Sequence, residues 1–268
     1  MIDRRSFVLA SLAALLPARA SASWWPSRPE PRTFDYGPAK LDIYAPDGAE
    51  GLPVVFFVHG GAWRLGNRSQ VHAKPGFLLD NGFCFVSIDY RMLPGADVAT
   101  QAGDVAKAYA YVRANIASHG GDPSRMAAMG HSAGCHLVAL TGMRGDLAGV
   151  AALVLDDTRA YDLEALAKSG GMVRAYARAF PDRAQWHALS PASYVDGRKH
   201  PPTFIAYSGA SGRGAVSTEF AGRLRATGTK VTLIDGRGYT YISIDRRLGK
   251  DGDALSEAVL GFLKAAIA

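Results

Sequence analysis

Short apolar runs alternate with longer stretches of helical period through most of the 268-residue chain. Residues 54–58 (VVFFV) form a continuous β-branched and aromatic run, the pattern of a strand covered on both faces. Residues 83–88, 126–129, 150–155, 203–207 and 231–234 read the same way. Two shorter strands, 33–36 and 41–45, come before them and join through Gly37-Pro38. Between the runs, residues 98–118 carry Ala, Val and Tyr at helical spacing and stop at Gly120-Gly121-Asp122-Pro123. Residues 218–227 and 254–267 also read as helices, and 70–80 as a helix interrupted at Pro75. This alternation predicts an α/β fold: a doubly wound, mainly parallel sheet with helices on both faces. Residues 158–196 break the rhythm and read as a small lid-like insertion.

The first 22 residues belong to no element of that sheet. Arg4-Arg5 stands directly before an apolar run, Phe7 to Leu16, which is followed by Pro17 and a small-residue stretch ending at Ala22. Crossing a hydrocarbon layer takes about 20 apolar residues, so this run is too short to span one. The pattern resembles a twin-arginine export signal. Residues 1–22 are therefore expected to be a removable signal, residues 23–268 a single domain, and the mature protein periplasmic or secreted. Three arginines and one aspartate leave with the signal, taking the formal net charge from +6 to +4. No Lys/Arg cluster accompanies that surplus, so neither nucleic acid nor, after signal removal, a membrane is expected as partner. Residues 24–31, with two tryptophans and three prolines, read as an extended arm. Cys84 and Cys135 fall inside apolar segments and are expected to be buried thiols.

Two motifs carry the chemistry. Gly130-His131-Ser132-Ala133-Gly134 lies between the run at 126–129 and helix-forming sequence, which places Ser132 on a sharp strand-to-helix turn with its hydroxyl lifted off the sheet. Strand and helix approach so closely in such a turn that a β-carbon at Gly130 or Gly134 would collide. Upstream, His59-Gly60-Gly61-Ala62-Trp63 follows the run at 54–58, at a strand's carboxyl end, where ligands collect in open α/β sheets. Small residues there let backbone N–H groups approach a substrate oxygen. Gly61, Ala62 and Ala133 are the expected donors of an oxyanion hole, each worth about 2.7–4 kcal/mol on removal. His59, Trp63, His131 and, from the insertion, Trp186 are expected to line the substrate pocket.

HGGAW, FVSIDYRMLP, GGDPSRMAAMGHSAGCHLVAL and ALSPASYV together resemble the α/β-hydrolase superfamily, in particular small esterases related to hormone-sensitive lipase and to bacterial feruloyl and xylan esterases. The resemblance spans nearly the whole mature chain. It implies Ser132 as nucleophile, a small-molecule ester as substrate, and no cofactor or metal.

The pattern then departs from the family. A serine of this kind needs a histidine base and an acid to orient it, in chain order Ser, Asp or Glu, His. The run at 203–207 leads into Ser208-Gly209-Ala210-Ser211-Gly212-Arg213-Gly214, which has no carboxylate. After the last strand, Tyr241 stands where the family's histidine is expected, and all seven histidines lie earlier in the chain. Asp157, after the strand that follows the nucleophile, is the remaining candidate acid, and a turn or helix cap is the competing reading of Asp156-Asp157. A phenol with its usual pKa near 10 is about one-thousandth ionised at pH 7, so Tyr241 as base needs a nearby cation; Arg237, Arg246 and Arg247 are close in sequence. Two functions fit: a serine esterase, weak or retuned, acylated at Ser132, or a ligand-binding relative that has lost the chemistry.

Overall fold

The run at 54–58 lies in the middle of the sheet. The computed structural model describes residues 30–268, so the expected export signal and most of the Pro-rich arm lie outside the described residues. Among the described residues, eight strands form one sheet in the order β1-β2-β4-β3-β5-β6-β7-β8. They are β1 (Arg32–Asp35), β2 (Lys40–Tyr44), β3 (Leu52–Val58), β4 (Cys84–Ile88), β5 (Gly121–His131), β6 (Ala152–Asp156), β7 (Thr203–Ser208) and β8 (Val231–Gly236). The β1–β2 and β2–β4 pairs are antiparallel and the other five are parallel. The α/β sheet read from the sequence is the sheet observed.

Among the described residues nine α-helices accompany these strands, the last two after β8: α1 (Lys74–Asp80), α2 (Val98–Asn115), α3 (Ala133–Arg144), α4 (Leu163–Lys168), α5 (Arg174–Ala179), α6 (Trp186–Leu189), α7 (Arg213–Ala226), α8 (Tyr241–Arg247) and α9 (Ala254–Ile267). Val54, Phe56 and Val58 belong to a core layer with α2, α3 and α7, while Val55 and Phe57 belong to the opposite layer with α1, α8 and α9. Side chains of a strand alternate between faces, so a strand with two dry faces must be apolar at every position. Each such side chain contributes about 1.5–3 kcal/mol relative to exposure. Both cysteines are buried and free.

Several boundaries differ from the sequence reading; β5 starts at Gly121 rather than 126, and three helices depart from it. Pro75 does not interrupt a helix at 70–80; it sits in the first turn of α1, where its missing N–H costs nothing. α7 begins at Arg213, five residues before the expected start, with the left-handed Gly212 as its N-cap. α8 has no counterpart among the helices read from the sequence. Its signal is a capping box in which Thr240 accepts from the Ser243 N–H and the Ser243 hydroxyl accepts from the Thr240 N–H.

The order of connections fixes the place of the site. From β3 the chain crosses through α1 to β4 on one side, and from β5 it crosses through α3 to β6 on the other. Connections that leave adjacent strands in opposite directions open a crevice at the strands' carboxyl ends. The two chemical motifs end β3 and β5, so topology places both at that crevice.

Candidate active site

Ser132 occupies the bend between β5 and α3 with φ 54° and ψ −113°, a conformation that a non-glycine residue adopts only under constraint. Its N–H donates to the carbonyl of Asp156 (3.0 Å), which ties the bend to the end of β6. The flanking glycines behave as their spacing predicts. A Cβ on Gly130 would lie 2.4 Å from the Gly134 oxygen, and one on Gly134 only 2.0 Å from the Val58 oxygen. Both obstacles are backbone and cannot move aside. Ser132 itself is partly exposed.

The loop after β3 is packed against this bend. A Cβ on Gly60 would come within 3.2 Å of the Ser132 Cβ. Gly61, Ala62 and Trp63 all have positive φ (128°, 52° and 61°), so three successive peptide groups turn the same way. The Gly61 carbonyl accepts from Arg64 and Leu65, whereas the N–H groups of Gly61 and Ala62 find no acceptor among the described residues. Ala133 is the first residue of α3, and an N–H at that position has no intrahelical partner. The three expected donors thus stand at one crevice with their hydrogens unclaimed by secondary structure.

Three of the four expected pocket residues, His59, Trp63 and His131, are buried. His59 is 1% exposed, stacked on Tyr90 at 4.6 Å, with Nδ1 at 2.6 Å from the Gly60 oxygen. It is a buried support for the loop rather than a ligand contact. Trp63 is 3% exposed; its Nε1 donates to His136 Nδ1, and its ring meets Tyr176 and Phe180 edge-on. That makes it core between α3 and the insertion. His136, expected to be packed, is fully buried, and its Nε2 donates to the Leu189 carbonyl. Burial lowers its pKa to about 4. Trp186 is held inside the insertion by a bond from its Nε1 to the Phe180 oxygen. His131 turns from the serine toward Asp245, with Nδ1 3.8 Å from Oδ2, and burial lowers its pKa.

The hydroxyl of Ser132 hydrogen-bonds the phenol of Tyr241, the first residue of α8. The family's histidine position and the serine are therefore brought together, 109 residues apart in the chain. Asp157 does not orient that partner. Fully buried and with φ 58°, it accepts from Arg213 Nη1 at its backbone oxygen (2.9 Å) and at Oδ1 (3.0 Å). Arg213 lies over the Tyr241 ring, its guanidinium carbon 4.4 Å from the centroid. The arginines singled out from sequence are engaged elsewhere or exposed: Arg237 pairs with Asp235, Arg247 with Asp253, and Arg246 faces solvent. Burial raises the Tyr241 phenol above its usual pKa, while the Ser132 hydrogen bond and Arg213 pull it down.

A second buried group braces α8. Lys74 Nζ, on a side chain 1% exposed, donates to Asp245 Oδ1 (2.6 Å) and to the Asp245 backbone oxygen (3.0 Å). His72 Nε2 lies 3.2 Å from Oδ2 of the same carboxylate. Burial alone would raise this carboxyl, but Lys74, His72 and His131 hold it below the usual carboxylate range. Neither Lys74 nor Asp245 is singled out by the sequence. The signal was the spacing of Tyr241 and Asp245, four residues apart and so on one face of a helix. Among the described residues no cluster of His, Cys, Asp and Glu is placed to hold a metal ion.

With this geometry in view, comparison with known proteins is informative. The family described as BD-FAE matches residues 41–165, which contain both motifs. A probable isoprenylcysteine alpha-carbonyl methylesterase of Oryza sativa is 41% identical over 38% of this chain and 24% of its own length. Esterase LipQ of Mycobacterium tuberculosis is 31% identical over 85% of this chain and 60% of its own. The chain thus spans about a quarter of the rice protein and three-fifths of the mycobacterial one. Among solved structures, the carboxylesterase EstE1, cloned from a metagenomic library, superposes with TM-score 0.76 at 22% identity, covering 91% of this chain and 90% of that one. A Thermogutta terrifontis esterase with bound propionate gives TM-score 0.72 at 22% identity, over 90% and 94% of the two chains. At such identities the structural likeness is one of fold.

Proposed function

We propose that this chain, which has the α/β-hydrolase fold, hydrolyses small carboxylic esters through an acyl-enzyme at Ser132. One observation carries the reading: a partly exposed serine held at φ 54° beside a loop whose Gly61 and Ala62 N–H groups, with that of Ala133, have no partner in the secondary structure. As an ester carbonyl carbon is attacked by the serine oxygen, negative charge develops on the carbonyl oxygen. Amides already oriented toward that position stabilise the charge without reorganising. The esterase names of the sequence relatives support the same substrate class. The twin-arginine pattern at residues 4–5 supports an exported, periplasmic or secreted enzyme acting on esters outside the cytoplasm.

A short-chain p-nitrophenyl ester tests the reading. Rapid mixing is expected to release nitrophenol in a burst matching the enzyme concentration, followed by a slow steady state as the acyl group leaves Ser132. A single linear phase no faster than buffer opposes it. The phenol hydrogen-bonded to Ser132 favours a second reading, a ligand-binding relative without turnover. In that case an ester raises the melting temperature and is recovered intact.

A further inference from the structure

Tyr241 stands where the resembled esterases place an imidazole, and the charges behind it are opposite to those an imidazole needs. An imidazole base becomes a cation when it takes the serine proton, so a carboxylate belongs behind it. A phenolate base is an anion before it takes the proton, so a cation belongs behind it. Arg213 is that cation, 4.4 Å over the Tyr241 ring on a side chain 11% exposed. Asp157 holds it through two oxygens, and does so from a left-handed backbone position that costs energy to maintain. The missing acid and the missing histidine are then one coordinated change.

We infer that Ser132, Tyr241 and Arg213 form a serine-activating triad of inverted charge, with the Tyr241 phenolate as general base and Arg213, oriented by Asp157, as its positioning partner. This rests on the ester-hydrolase reading. The Ser132 oxygen bonds to the ester carbonyl carbon as its proton passes to the phenolate oxygen, and the carbonyl electron pair moves onto the oxyanion. Collapse of the tetrahedral intermediate breaks the bond to the alcohol oxygen, which leaves with the proton from Tyr241. Water then attacks the acyl carbon, giving its proton to the regenerated phenolate. The acid departs as the Ser132 oxygen takes that proton back.

The charged and titratable groups facing the phenol come from six places in the fold, five close at hand and a sixth on α5. They are Ser132 at the bend, His131 at the end of β5 with its ring 5.4 Å away, Asp157 after β6, Arg213 on α7, and Asp245 on α8 itself. Tyr176 of α5 is coupled to the same phenol. Burial, Asp157 and Asp245 favour the neutral phenol; Ser132 and Arg213 favour the phenolate. The neutral form dominates at pH 7, and the phenolate fraction grows about tenfold per pH unit below the pKa.

The test is the pH dependence of kcat/KM for a p-nitrophenyl ester from about pH 6 to about pH 10, corrected for buffer hydrolysis, alongside ultraviolet titration of the phenolate as a wild-type minus Tyr241→Phe difference. The wild-type profile is expected to climb with unit slope to the alkaline end of that range, in step with the phenolate absorbance. Tyr241→Phe is expected to flatten it. Arg213→Gln is expected to displace both rising curves toward higher pH together and cut the neutral rate about tenfold, one pH unit of displacement; Arg213→Lys is expected to restore part of it. Should Arg213→Gln fail to fold with Asp157 left unpaired, the double variant Arg213→Gln/Asp157→Asn removes both charges and carries the same expectation. A profile that inflects in the histidine range, or that Tyr241→Phe or the Arg213 variants leave in place, overturns the inference while leaving ester hydrolysis standing. Absence of turnover at every pH overturns both.

Discussion

Ser132→Ala is expected to lower kcat/KM for an activated ester by about 10²–10⁴-fold, the span that a positioned proton acceptor and its nucleophile together supply. The substitution removes one oxygen and its bond to the Tyr241 phenol. The backbone of the bend is fixed independently, by the Asp156 carbonyl and by Gly130 and Gly134, so far-ultraviolet circular dichroism should be unchanged. The unclaimed amides remain, and with them a residual rate above water from oxyanion stabilisation and binding alone. Steady-state kinetics on the folded variant checks this, and a variant as active as wild type would move the chemistry away from Ser132.

Lys74→Met is expected to destabilise the fold by about 3–5 kcal/mol, because it leaves the Asp245 carboxylate buried against His72 and His131 alone. Methionine keeps the apolar stem of the lysine beside Phe57, so the loss is one of charge rather than of packing. In the wild type the contribution of Asp245 is complete above the unfolded carboxylate pKa near 4 and is lost as pH falls below it, since the folded carboxyl is held lower. Urea unfolding at neutral pH measures the effect. Lys74→Met/Asp245→Leu, which removes both charges, should recover most of it, whereas equal midpoints for Lys74→Met and wild type would contradict the buried pair. Tyr241 opens the same helix one turn before Asp245, so the brace on α8 also holds the serine's hydrogen-bond partner.

The sheet was legible because strands buried on both faces must be apolar at every position, and the runs at 54–58 and 150–155 could be little else. The bend at Ser132 was legible because its glycines are dictated by backbone contact: Gly134 faces the Val58 carbonyl, and no other residue fits. The position of the loop at 59–63 beside that bend followed from its place after β3. The pocket residues were not legible. A tryptophan after two glycines and a histidine before them look the same in sequence whether they face a substrate or, as Trp63 and His59 do, the core. The partner of Tyr241 was missed for a related reason. Arg237, Arg246 and Arg247 are near it in sequence, but the guanidinium that reaches its ring comes from Arg213, on a helix packed beside β7 and β8. A strand order of β6-β7-β8 brings the starts of α7 and α8 together, and only the assembled sheet reveals it.

The central claim is that Ser132 is a nucleophile facing an oxyanion site, and covalent labelling tests it most directly. A fluorophosphonate probe incubated with the folded protein, followed by proteolysis and mass spectrometry, should place one phosphonyl group on the peptide carrying Ser132, at a rate that rises with pH. An unmodified Ser132 under conditions that label other serine hydrolases would contradict the account.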